Sequence, residues 1–115
     1  MNDLRSYCEY IAKDVTKMVN DPSTWLAEND MDEDYCYHIS AWVDNALDIE
    51  ISIGFNGTYR GAKIMVAYGG PNVYVNTRTS MVEGYWWNER ESVEIPHEVC
   101  EALDKYISDI RRDLL

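Results

Sequence analysis

The chain is poor in several residue types that would narrow its chemistry. Its 115 residues include one Phe, two His, three Pro and three Cys, and from Met18 to Tyr59 there is no Lys or Arg. Cys8, Cys36 and Cys100 are odd in number and far apart, which fits reduced cytosolic thiols better than a disulfide framework, and a cytoplasmic location is expected. No apolar run approaches the ~20 residues of a membrane span, so no membrane association is expected. Met1-Asn2-Asp3-Leu4-Arg5 is not a charged segment leading into an apolar one, and export is not expected. With two His, nucleophilic catalysis has few bases to draw on, and no G-x-S-x-G or Cys/His signature surrounds any Ser or Cys. No catalytic residue is expected, and the chain does not read as an enzyme.

What is present is acid, Tyr and Trp. The net charge is −11, and nine Tyr and four Trp stand against the lone Phe. Such an anion should not bind nucleic acid directly, because both would be polyanions, and it should favour a basic protein partner. The charge is uneven. Residues 18–59 hold Asp21, Glu28, Asp30, Asp32, Glu33, Asp34, Asp44, Asp48 and Glu50 without a cation, a net of −9. Residues 60–90 reverse to +2, with Arg60, Lys63, Arg78 and Arg90 against Glu83 and Glu89. A charge run is usually a solvated face, but unopposed carboxylates repel one another and cost stability, which points to a partner-facing surface.

The length suits one α+β domain, residues 1–115. Leu4, Cys8, Ile11, Val15 and Met18 repeat at helical spacing, with Asn2 or Asp3 as cap. The stripe reads as core and is too short to argue as a dimer seam, though a homodimer stays open. Asp21-Pro22 starts a short helix over Ser23–Glu28, and Tyr35–Leu47 shows helical spacing through Ile39, Trp42, Val43 and Ala46. The period then falls to two: Ile49, Ile51, Ile53 and Phe55 alternate with Asp48, Glu50, Ser52 and Gly54. Asn56-Gly57 predicts a type I′ hairpin, and Thr58–Tyr68 returns as a central strand, apolar on both sides. Val73–Thr77 and Met81–Trp87 form a second hairpin around Arg78-Thr79-Ser80, and Pro96 opens a last helix through Val99, Leu103, Ile107, Ile110 and Leu114. The expected architecture is a four-stranded antiparallel meander with N-terminal helices and a C-terminal helix packed on one face.

Two constellations carry ligand chemistry weakly. Cys36-x-His38 and His97-x-x-Cys100 contain zinc-ligand types, but the first spacing is not that of a zinc knuckle, so no metal and no cofactor are expected. Gly69-Gly70-Pro71-Asn72 lacks the Lys-Ser/Thr of a phosphate loop and runs into a strand, so it reads as a tight turn. Tyr85-Trp86-Trp87 should split across the sheet, Trp86 facing away from its two neighbours.

Four segments carry a resemblance. They are Leu47-Asp48-Ile49-Glu50, Tyr59-Arg60-Gly61-Ala62, Gly69 to Arg78, and Val82-Glu83-Gly84-Tyr85-Trp86-Trp87. Over about residues 40–110 the chain resembles short acidic proteins encoded on phages and mobile elements of Gram-positive gut bacteria. In those proteins an acidic residue often stands where this chain has Asn76. The resemblance transfers no catalytic residue; it implies an anti-defence context, an anti-CRISPR or anti-restriction type of inhibitor. The first expectation is therefore an acidic inhibitor that occupies the basic nucleic-acid-binding surface of a host nuclease or CRISPR effector. It would act through Glu28, Asp30, Asp32, Glu33 and Asp34, supported by Asp44, Asp48 and Glu50. The alternative is a small-molecule- or peptide-binding module using the sheet face near Asn72, Tyr74, Asn76 and Arg78.

Overall fold

The computed structural model describes residues Asp3–Asp113, in the order α1 (Asp3–Asn20), α2 (Pro22–Glu28), α3 (His38–Val43), β1 (Asp48–Ile53), β2 (Tyr59–Ala67), β3 (Asn72–Asn76), β4 (Met81–Trp86), β5 (Glu89–Glu94) and α4 (His97–Asp113). The strands pair antiparallel in chain order, β1-β2-β3-β4-β5, as a meander. The α+β class stands as expected, and the strand count is corrected from four to five. The fifth strand, Glu89-Arg90-Glu91-Ser92-Val93-Glu94, has one apolar residue, so there was no apolar alternation to read. It is nevertheless a strand because it closes a two-residue turn on β4 and lies at the sheet edge, where charge is tolerated.

The register explains the core. Ile49, Ile64, Val75, Val82 and Val93 stand side by side across all five strands on one face. Ile64, Val75 and Val82 have no solvent exposure, each contributing about 1.5–3 kcal/mol by burial. The helices cover this face, α1 over β4 and β5 and α4 against β2. The heptad-like spacing of α1 buries Leu4, Cys8, Ile11, Val15 and Met18, as expected of a core stripe. Gly84 makes the close approach possible: a Cβ there would lie 2.6 Å from Cys8 Sγ and 2.8 Å from Leu4 Cδ1.

The short helices are held by one carboxylate. Asp14 on α1 accepts hydrogen bonds from Trp25 Nε1 of α2 at 2.9 Å and Trp42 Nε1 of α3 at 3.2 Å. Both rings are buried, so the bonds satisfy indole N–H groups that burial would otherwise penalise.

Three local expectations are corrected. The helix expected over Tyr35–Leu47 is confined to His38–Val43; Tyr35 and Cys36 donate backbone bonds to the Asp32 carbonyl in a preceding turn. The first hairpin is not a two-residue turn. Gly57 N donates to Gly54 O and Gly54 N to Thr58 O, so Phe55 and Asn56 are the central pair and Gly57, at φ 82, forms the bulge. Phe55 thus leaves the strand alternation and is fully exposed. Trp87 also lies outside its strand, in the β4–β5 turn at φ 57, and does not share a face with Tyr85. The cap assigned to Asn2 and the last apolar position, Leu114, fall outside the described residues.

Candidate interaction surfaces

All eight carboxylates of the expected acidic site are exposed, but the fold does not gather them into one array. Glu28 ends α2 and pairs with Lys17 Nζ at 2.6 Å, so it is already neutralised. Asp30, Asp32, Glu33 and Asp34 lie on the α2–α3 loop. Asp44 caps the end of α3. Asp48 and Glu50 alternate with the inward Ile49 and Ile51, so they point to the helix-free side of the sheet, and Glu50 stands in register with Lys63.

The loop is ordered by its backbone. Asp30 adopts φ 58 just past α2; its N–H bonds Ala27 O at 3.2 Å, and Met31 N–H bonds Leu26 O at 2.8 Å. This is a Schellman ending with an Asp where Gly is usual. Met31 and Cys36 pack against the core and pin the two ends of the loop. Between them Asp34 N–H bonds Asp32 Oδ1 at 2.9 Å, and Ser23 Oγ donates to Glu33 Oε2 at 2.7 Å. Among the described residues, Asp30, Asp32 and Asp34 form no ion pair, so three unneutralised carboxylates stand on a five-residue bend.

The helix-free sheet face holds most of the alternative ligand site. Asn72, Tyr74 and Asn76 all point to it from β3, beside Met65 and Lys63 of β2 and Glu83 and Tyr85 of β4. Lys63 Nζ sits 4.3 Å from the Tyr74 ring centre and 5.7 Å from that of Tyr85; the two rings meet edge to face at 6.1 Å. Asn76 Nδ2 donates to Glu83 Oε1 at 3.0 Å, and Thr79 Oγ1 to Glu83 Oε2 at 3.1 Å. Arg78 follows in the hairpin loop, its side chain laid across Gly61, where a Cβ would collide with it.

A third surface was not anticipated. A groove of about 550 Å³ runs between α1 and β5, floored by Ala12 and Val93 and flanked by Arg5, Lys13 and Lys17 against Glu9 and Glu94. Its cations alternate along α1 with core residues, a pattern that on a sequence reads only as an amphipathic helix.

The thiols and imidazoles offer little reactivity. Burial, reinforced by Glu91, pushes the Cys8 thiol up, and burial pushes Cys100 up against a hydrogen bond from Ser80 that lowers it, so both stay protonated. Burial lowers the His38 pKa. His97 Nε2 lies 2.9 Å from Glu101 Oε1 on the surface of α4. Among the described residues no group of three His, Cys, Asp or Glu side chains is placed to hold a metal ion, and no helix is long and apolar enough to cross a membrane. No protein-family model matches the chain, and no curated protein or solved structure matches it either.

Proposed function

We propose that the chain is a non-enzymatic binding protein that presents the α2–α3 carboxylate loop to a basic, nucleic-acid-binding surface of another protein. The observation that carries this reading is the ordered bend holding Asp30, Asp32 and Asp34 exposed and without cations. Asp30 occupies a left-handed position that Gly fills at no steric cost, and it places a negative charge at a helix C-terminus, where the dipole disfavours it. An acidic residue at such a position supports a role outside folding. The contact set narrows from eight residues to these three with Glu33; Asp48 and Glu50 belong to a different surface.

The test is competition. Heparin-retained bacterial proteins are passed over the immobilised chain, and bound material is challenged with duplex DNA and with rising salt. Release by both is expected, and weakened capture by Asp30→Gly/Asp32→Asn/Asp34→Asn with an unchanged or higher melting temperature. Capture that is indifferent to DNA, or flat from low to high ionic strength, would overturn charge mimicry.

A second reading is favoured by a separate observation: Asn72, Tyr74 and Asn76 converge with Lys63 and Tyr85 on the helix-free face. As a peptide- or small-molecule-binding face it would give chemical-shift changes confined to those residues on titration with a metabolite or peptide library.

A further inference from the structure

We infer that the outer edge of β5 is a self-pairing edge, through which two copies of the chain join antiparallel strands into a continuous ten-stranded sheet. The inference rests on which backbone groups the edge leaves free and on what stands beside them. Trp86 pairs with Glu89 across the two-residue turn, and Ile95 N–H bonds Ser80 O at 3.0 Å. Residues 89, 91, 93 and 95 therefore spend their N–H and C=O groups on β4. By the alternation of an antiparallel ladder, those of Arg90, Ser92 and Glu94 point outward. Among the described residues no strand lies beyond β5.

A two-fold axis at Ser92 turns these groups into a complete ladder. Ser92 meets Ser92 of the second copy, and Arg90 meets the second copy's Glu94, once on each side of the axis. The outward groups fall opposite one another as hydrogen-bonded pairs, as the ladder requires, and two opposite charges stand directly across the seam. Neither Arg90 nor Glu94 has an ion-pair partner among the described residues, and both are exposed. Glu91 and Val93 of the second copy project to the helix side, beside the groove floored by Ala12 and Val93 and flanked by Lys13.

Charge selects this occupant and this edge. Of the groove's three cations, Arg5 pairs with Glu9 and Glu91 and Lys17 with Glu28, while Lys13, which forms no ion pair among the described residues, is left to face the carboxylates of a second copy. The opposite edge, β1, carries Asp48 and Glu50 and no cation, so its self-pairing can bring no opposite charges together. Acid blunts one edge, and the other is left able to pair.

Sedimentation equilibrium on the full chain decides the matter. The expected species is a dimer of the 13.4 kDa chain at micromolar to submillimolar concentration. Arg90→Glu alone and Glu94→Arg alone each place like charges twice across the seam and should weaken dimerisation by about tenfold or more. The double exchange Arg90→Glu/Glu94→Arg should restore it. Ser92→Pro removes a donor the monomer does not use, so it should leave the circular dichroism intact and the chain monomeric. Glu50→Gln on the other edge should leave dimerisation unchanged. A wild-type chain that stays monomeric at several hundred micromolar overturns the inference, as does a folded double exchange that fails to restore what each single exchange removed.

Discussion

The two faces of the sheet are built from the same strands, yet they are held in different ways. On the covered face Ile64, Val75 and Val82 are stabilised from above, by helices that exclude water. On the open face Lys63, Tyr74, Asn76, Glu83 and Tyr85 are held sideways, by a cation over two rings and by amide and hydroxyl donors on one carboxylate. The covered face is a packing problem, intolerant of an added methyl group. The open face is a lateral network that needs no cover, and side chains already fixed have less freedom to lose when a partner arrives. A face that is ordered without being buried is suited to contact.

The comparison breaks most visibly at Gly84. A methyl group there collides with Cys8 and Leu4, so Gly84→Ala forces α1 off the sheet and should cost about 3 kcal/mol or more in urea unfolding. Ser92→Ala on the open side should stay within about 0.5 kcal/mol. Equal costs would mean that α1 does not dock where the structure puts it. Asp14→Ala should rank next, at about 2–4 kcal/mol, because two buried indole N–H groups lose their acceptor together. Trp fluorescence should shift to the red as α2 and α3 loosen; an unshifted spectrum would show that the two rings are held without Asp14.

Tyr59 tests the covered face through pH. Burial first, and then Asp104, whose Oδ1 accepts its hydroxyl at 2.7 Å, raise the Tyr59 pKa well above the ordinary 10. The folded state therefore keeps the proton more tightly than the unfolded one. This contribution is fully present below pH 10 and is lost as pH rises beyond it. Tyr59→Phe should cost about 1.5 kcal/mol near neutrality and flatten the decline above pH 10. The raised thiols of Cys8 and Cys100 leave a residual decline beginning near pH 9, and Tyr59→Phe should not remove it.

The covered face was largely legible in the sequence, because burial writes period into a chain. The 4-3 spacing of α1 and the alternation from Asp48 to Ile53 each announced an element and its inner side. What stayed hidden was whatever period does not encode. β5 is an edge strand defined by its turn rather than by apolar residues, and Phe55 and Trp87 looked like strand residues until turn geometry exposed them. The candidate sites were legible as composition and not as arrangement. Charge counting offered eight carboxylates as one site, but only the folded chain separates Asp48 and Glu50 from the loop. It also joins Asn72, Tyr74 and Asn76 to Lys63, nine or more residues away, and that junction follows from register.

The smallest expected effect is also the sharpest test of the open face as a self-supporting surface. Lys63 stands over Tyr74 at 4.3 Å, and in register it lies between Glu50 of β1 and Asn76 of β3. Lys63→Gln removes the cation and should cost under about 1 kcal/mol, since the site is half exposed. That number alone says little, because the loss of charge beside Glu50 enters it too. A double-mutant cycle with Tyr74→Leu isolates the ring contact: the coupling should be about 0.5 kcal/mol and should change little with salt. The Glu50 contribution, a charge interaction across register without a direct ion pair, should fade as salt screens it. A coupling of zero would mean that the face is held only from beneath. The open surface would then be a by-product of the packed one, and its readiness for a partner would lose its physical basis.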